Sequence, residues 1–392
     1  MITVEEAKEK LKNTVPILGS EKVVLTKALG LVLAENIYSP IEMPGVDQSA
    51  MDGYALHYSD DIRQYNLVGE VAAGSSENPK LKIGEVVRIF TGARVPDDAN
   101  LVAQQEIVTR TDKHIKLTED VKVGKNIRLK GEQINTGDLA LAKGTVLNAG
   151  GIGFLAGLGF TEVDVFKRPK ITVITTGNEL IQPGKEIQPG QIYESNSLML
   201  VAALNEFGFD AEDVVTVADN YEHTKNTIDA AIEKSDLVMI TGGISVGDYD
   251  FVEDALKELN VDELFYKVKQ KPGKPLFMGR KENKMIAALP GNPASALTCF
   301  YIYVLPTLNH LMGKGFKELQ QEEFILNNSV RSNGQRAEFL KAYIEGSKVS
   351  ALAQQSSAML MSYAKSNALI YLPVGTTNID AGEKVTVYRI ND

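Results

Sequence analysis

The sequence predicts a multidomain protein of the α/β plus β class: a central α/β domain with a mostly parallel sheet, flanked by β-rich domains. Three observations predict it. The chain has 392 residues, more than a single hydrophobic core usually serves. From Lys170 to Gly313, apolar strand patterns alternate with helical patterns over short connections, the rhythm of a parallel sheet with helices on both faces. On either side, short Val/Ile runs alternate with Gly, Pro, Asn and Asp, the texture of strands and turns.

The elements follow in order. Residues 1–36 read as a helix, a turn and a second short segment, with Leu11, Val15, Leu18, Leu25, Leu29, Leu31 and Leu33 as apolar positions. Residues 39–138 are β-rich. Residues 139–168 return to an apolar, glycine-punctuated texture, "GGIGFLAGLGF" and "TEVDVF". Their likeness to the N-terminal segment groups 1–38 with 139–168 as one linking domain and makes 39–138 an insertion. Residues 169–315 form the α/β domain. Its strands are "KITVITT", "AEDVVTVA", "DLVMIT" and "MIAAL". Its helices are "SNSLMLVAALNEFG", ending at Gly208 as a C-cap, "EHTKNTIDAAIEKS", "FVEDALKELN" and one long helix, "PASALTCFYIYVLPTLNHLMG". Residues 316–392 form a C-terminal, β-barrel-like domain.

Composition narrows the function. Hydrophobic residues make up 44% and charged residues 23%, ordinary for a soluble globular protein. No run approaches 18 apolar residues, so no membrane span is expected, and the polar start "MITVEEAKEKLKN" is no signal peptide. The net charge of −10 argues against nucleic acid as the main partner but leaves room for a small anion. The lone Cys299 fits a reducing cytoplasm and, within "ALTCFYIY", a core position. The four histidines lack zinc-ligand spacing.

In open α/β sheets, ligands bind beyond the carboxyl ends of the strands. Those ends carry Gly177, Asn178 and Glu179; Asp219 and Asn220; Gly242, Gly243, Ser245, Asp248 and Asp250; and Gly291 and Asn292. Each has a plainer use. Glu179 suits the first turn of a helix, Asp219-Asn220 a helix cap, the paired glycines a positive φ, and Asn292-Pro293 an N-cap with proline at N1. Asp250, directly before "FVEDALKEL", reads as that helix's N-cap. Together, glycine main-chain N–H groups, hydroxyls and three carboxylates suit a phosphate held with a cation, and Mg²⁺ is the natural guest. Lys271 and Lys274 flank Pro272-Gly273 in a stiff loop fit for an oxyanion. Asp52, Thr91, Arg128, Lys130 and Glu132 lie on loops of the β-rich insertion that face a common cleft.

The stretches "SAMDGYA", "IFTGARVP", "NIRLKGEQI", "TTGNELIQPG", "QIYESN", "TGGISVGDYD", "KPGKP" and "LPGNPASA", in this order, resemble the MoeA family of molybdopterin molybdenumtransferases. That family includes the gephyrin E domain and its plant counterpart. The resemblance spans nearly the whole chain. It implies a four-domain subunit, a cytoplasmic homodimer, and insertion of molybdate into adenylylated molybdopterin with release of AMP. It implies a divalent cation, commonly Mg²⁺, and points to the molybdopterin adenylyltransferase as a protein partner. The positions it carries over are Asp52, Thr91, Glu179, Asp219, Asp248, Lys271 and Lys274, with Glu179, Asp219 and Asp248 on the metal. Gly242, Gly243, Ser245, Gly291, Asn292, Arg336 and Ser357 would bind the pterin nucleotide or the oxyanion. Gln133 and Asn178 stand where the family often has aspartates. A scaffold role of the gephyrin type and insertion of tungstate are the alternatives.

Overall fold

The computed structural model describes residues 1–244 and 251–390. The chain forms two compact units, Met1–Glu21 with Val165–Asp392, and Lys22–Asp164.

The larger unit is built on a six-stranded sheet. Its strands are β1 (Ile171–Thr176), β2 (Asp213–Val217), β3 (Leu237–Thr241), β4 (Asp262–Tyr266), β5 (Phe277–Lys281) and β6 (Lys284–Leu289), in the order β2-β1-β3-β6-β5-β4. The first four in that order run parallel, and β5 and β4 add antiparallel. Every residue of β1 and β3 is buried, whereas edge strand β2 alternates. This explains why the central strands read as unbroken apolar runs: both of their faces are covered.

Four helices supply the cover: α1 (Asn196–Glu206), α2 (Tyr221–Lys234), α3 (Val252–Glu258) and α4 (Pro293–Cys299). Ile228, Ala231 and Ile232 of α2 and Val252, Ala255 and Leu256 of α3 pack on Ile174, Val238, Ile240, Ile286 and Ala288. Helices α1 and α4 pack together and against β1 and β6. Burying a Leu, Ile or Val of this kind stabilises by about 1.5–3 kcal/mol. Asn220 caps α2, its side chain accepting from the His223 N–H. Gly208, two residues past α1, has φ +77°.

Two expectations about helices need correction. The N-cap of α3 is Phe251, with no side-chain cap bond, and Asp250 lies outside the described residues. The long helix is not continuous: α4 gives way to a π segment, Phe300–Val304, and then α5 (Leu305–Leu311). The cause is Pro306, which has no N–H for the carbonyl one turn back and whose ring crowds it. A wider turn relieves both problems.

The same unit ends in a closed ring of strands. Ala337–Glu345 pairs with Lys348–Ala351 on one side and Ala368–Leu372 on the other, and Gln321–Leu326 and Lys384–Arg389 complete the circle. Its interior holds Phe324, Leu326, Ala342, Val349, Ile370 and Val387. Gln270–Lys271 joins Ala337–Glu338 in parallel, which ties the lysine loop to this ring.

The smaller unit carries a six-stranded sheet whose edge strands are Leu101–Gln104 and Val108–Arg110. One face packs around Tyr65 and Leu101 and the other around Ile89 and Val102. Among the described residues, no helix is long and apolar enough to cross a membrane.

Candidate active site

A cleft of about 600 Å³ opens at the carboxyl ends of β1, β3 and β6. Each strand end contributes a different kind of group.

After β1 the chain does not enter a helix. Leu180–Ile181 pairs in parallel with Ile192–Tyr193, so Glu179 has no helix dipole to complement and instead lines the cleft. Beyond β2, Asp219 also lines it. The Asn178 N–H donates to Asp219 Oδ2 and the Asp219 N–H donates to Asn178 Oδ1, both at 3.0 Å. This reciprocal pair stitches two strand ends together. An amide at 178 supplies the acceptor without setting a second negative charge against Asp219.

After β3, Gly242 and Gly243 have φ of +93° and +62°. A Cβ on Gly242 would sit 2.6 Å from the Thr176 carbonyl oxygen, so the turn lies directly on the end of β1. Ser245 and Asp248 lie outside the described residues. Beyond β6, Gly291 and Asn292 border the cleft. Asn292 stands at the N-cap of α4 but makes no capping bond. Its Nδ2 donates instead to Ser357 Oγ at 3.1 Å, and the Ala294 N–H donates to the Ser357 carbonyl at 3.0 Å. Ser357 is thus fastened to the cleft wall, although it lies far away in sequence.

The floor contains a polar network that the sequence reading missed. Asn196 Nδ2 donates to Thr241 Oγ1 at 2.9 Å and to the Gly291 carbonyl at 2.8 Å, and Thr241 Oγ1 donates to the Pro290 carbonyl at 3.2 Å. Asn196 Oδ1 and Thr176 Oγ1 are buried without a hydrogen-bond partner. Buried polar atoms are nearly always paired, so these two leave hydrogen-bonding capacity unmet, among the described residues, beside the cleft. Glu194, also buried, accepts from the Ser197 N–H and hydroxyl and fixes the start of α1. The only signal in the sequence was "QIYESN", whose individual residues have no diagnostic spacing.

The lysine loop is anchored from below. Buried Gln270 donates to the carbonyls of Pro272 and Gly273 at 3.0 and 3.2 Å and accepts from the Tyr303 hydroxyl. Gly273, at φ +85°, packs so closely on Cys299 Sγ that a side chain there would collide. Lys271 and Lys274 are exposed. Lys271 Nζ lies 3.3 Å from Glu338, which also accepts from Ser332 Oγ at 2.7 Å. Arg336 is half-buried, one residue before the pairing of Ala337 with Gln270. Burial raises the Cys299 thiol far above its ordinary pKa, which removes it as a nucleophile.

In the smaller unit, Asp52 and Thr91 come together. The Thr91 N–H and hydroxyl donate to Asp52 Oδ1 at 2.8 and 2.9 Å and hold its carboxyl below the usual carboxylate pKa. Arg88 lies over the Tyr54 and Phe90 rings and donates to the Gly53 carbonyl. The other loop residues of this unit have structural partners: Arg128 pairs with Gln48 in an antiparallel two-stranded ladder, Lys130 forms an ion pair with Glu42, and Glu132 accepts from the Leu129 N–H in a local turn.

No group of three or more His, Cys, Asp or Glu among the described residues is arranged to hold a metal. Glu179 and Asp219 nevertheless share one cleft with two unpartnered oxygen atoms. That donor set does not suit an all-protein cage. It fits a Mg²⁺ ion held by one or two carboxylates that completes its shell with water and substrate phosphate.

Comparison with known proteins places this architecture. Residues 2–159 match the MoeA N-terminal region (domain I and II), 172–310 a probable molybdopterin binding domain, and 323–390 the MoeA C-terminal region (domain IV). The fold is therefore that of a multidomain, MoeA-like protein with a molybdopterin-binding-type α/β domain. A protein of Haemophilus influenzae named molybdopterin molybdenumtransferase is 34% identical over 100% of this chain and 99% of its own. A Staphylococcus epidermidis protein of the same name is 32% identical over 98% and 95%. The crystal structure of a molybdopterin biosynthesis MoeA protein from Pyrococcus horikoshii superposes with a TM-score of 0.85 at 32% identity, covering all of both chains. The chain belongs to the molybdopterin molybdenumtransferase (MoeA) family, as the sequence motifs implied.

Proposed function

We propose that this protein inserts molybdate into adenylylated molybdopterin, releasing AMP and the molybdenum cofactor. The observation that carries the reading is the cleft at the ends of β1, β3 and β6, in which Glu179, Asp219, the Gly242-Gly243 turn and two unpartnered oxygens converge. In the reaction the two pterin thiols bind molybdenum, their protons leave with one molybdate oxygen as water, and a water cleaves the phosphoanhydride. The substrate's own sulfurs attack, so the protein's part is positioning and electrostatics.

The Gly242-Gly243 turn cradles the terminal phosphate, and Gly291 and Asn292 close its far side; Ser245, outside the described residues, is proposed as a further donor on the family motif alone. Lys271, Lys274, Arg336 and Ser357 receive the oxyanion. Glu179 and Asp219 form the acidic side of the cleft, where Mg²⁺ would neutralise phosphate charge when bound, and Asp248, outside the described residues, is proposed as a further metal ligand on the family motif alone. Asp52 and Thr91 act as a preorganised carboxylate–hydroxyl pair.

The proposal extends to a homodimer, supported by the exposed apolar side chains Ile187, Ile192, Tyr193 and Leu198. It also extends to a cytoplasmic location, in keeping with the reduced Cys299, and to a partnership with the molybdopterin adenylyltransferase that makes the substrate. We retain the four-part division into 1–38 plus 139–168, 39–138, 169–315 and 316–392 as part of the proposal.

The test is direct. Purified protein with Mg²⁺, molybdate and adenylylated molybdopterin should release AMP in step with molybdate consumed, and Asp248→Asn should lose turnover while remaining folded. Folded wild-type protein that releases no AMP would overturn the reading.

A further inference from the structure

Lys341 occupies an unusual position. It lies on the strand Ala337–Glu345 of the C-terminal ring, yet is only 2% exposed. A lysine is almost never fully buried unless its charge is met. Among the described residues, Lys341 forms no ion pair. Its three ammonium protons instead go to three main-chain carbonyls of one loop: Gln354 at 2.9 Å, Ser356 at 3.1 Å and Met359 at 3.2 Å. That uses the full donor capacity of the group, and a charged donor strengthens each bond.

The loop and the lysine are tied a second time. The Lys341 N–H donates to Gln355 Oε1 at 2.9 Å, and Gln355 Nε2 donates to the Lys341 carbonyl at 2.8 Å. Gln354 holds a φ of +61°, which a non-glycine residue keeps only where its surroundings impose it. Between the clamped carbonyls of Ser356 and Met359 stand Ser357 and Ala358. Ala358 lines the cleft, and Ser357 is bonded to Asn292 and Ala294 at its wall. Because Ser357 Oγ accepts from Asn292 Nδ2, its own proton is available to donate to an anion.

We infer that Lys341 is a positioning residue for the reaction: it gathers three carbonyls of residues 354–359 and so sets the Ser357 hydroxyl at the cleft, aimed at the incoming oxyanion. A methionine would fill the same space and serve the ring equally well. What only the ammonium supplies is the fixed shape of the loop. This inference rests on the proposed reading of the cleft as the site of molybdate insertion.

The test compares Lys341→Met, Ser357→Ala and the double variant, using molybdate as the varied substrate and AMP release as the signal, with thermal unfolding run on each. Lys341→Met should raise KM for molybdate about tenfold or more while kcat changes by less than about threefold, and the effect should largely vanish in the Ser357→Ala background. A lowered melting temperature with unchanged KM, or effects that simply add, would make Lys341 structural and overturn the inference. If Ser357→Ala leaves the molybdate dependence unaltered, the reading of the cleft fails. If Ser357→Ala weakens molybdate and Lys341→Met does not, only the inference fails. Should Lys341→Met not fold, Gln355→Leu loosens the same loop from its other tie and is expected to raise the same KM; an unchanged KM there would equally refute it.

Discussion

Replacing Gly242 by alanine tests the turn at the end of β3 in a way that can be worked from the structure. At φ +93° the new side chain sits in a region that costs an L-residue about 1–2 kcal/mol. Its Cβ would stand 2.6 Å from the Thr176 carbonyl oxygen and 2.8 Å from Thr176 Oγ1. The first of these is main chain at the end of a central strand and cannot swing aside. Relieving it requires the two strand ends to part by several tenths of an ångström, and overpacking of this kind adds about 1–3 kcal/mol. The variant should therefore lose about 2–5 kcal/mol in urea unfolding. Because the displaced strand end leads into Asn178 and Glu179, AMP release by the folded fraction should fall at least about tenfold. A variant within about 0.5 kcal/mol of wild type and fully active would refute the claim that this turn is packed against β1 and shapes the cleft.

Further outcomes follow from the same geometry. Thr176→Val removes a buried hydroxyl with no partner, so stability should hold or rise by about 1 kcal/mol while activity drops; unchanged activity would mean the hydroxyl meets no ligand. Asn196→Ala cuts the bonds to Thr241 and Gly291 and should cost about 1–3 kcal/mol, measured by urea unfolding, together with a higher KM for the pterin substrate. Asp52 has a folded pKa below its ordinary value of 3.8, set by the two Thr91 donors. Its contribution to stability is present above that value and disappears as the pH falls through the lower folded pKa. The stability difference between wild type and Asp52→Asn should thus be widest near neutrality and narrow below about pH 4, as followed by unfolding from pH 7 down to about pH 2.

The site was legible where chemistry and chain order coincide. Strands β1, β2, β3 and β6 are apolar runs followed within two residues by Gly or Asp, and the rule that ligands sit beyond strand ends brings those residues together. Gly242 and Gly243 declared a turn because no other residue takes such φ values freely. What stayed hidden depends on tertiary return. Ser357 and Asn292 meet across 65 residues, and nothing local in "QSSAML" announces it. Lys341 alternates with Leu340 and Ala342, which point into the ring. Strand periodicity therefore puts it on the outer face, and only the loop folding over that face buries it. Asn196 looked like one more helix-start residue, since its role comes from the strand ends that surround it. The break in the helix after Cys299 had a local sign in Pro306, but continuous hydrophobicity on both sides masked it.

The central claim is that the carboxylates in the cleft serve the insertion reaction. Its most direct test is single-turnover AMP release from adenylylated molybdopterin on addition of molybdate, comparing wild type with Glu179→Gln and Asp219→Asn. Exposed Asp210→Asn serves as the control. The amide variants keep shape and one hydrogen-bonding oxygen but lose charge. The account predicts a fall of about 100-fold or more in rate for both, with unfolding transitions near wild type and the control unaffected. Wild-type rates in Glu179→Gln and Asp219→Asn would contradict it.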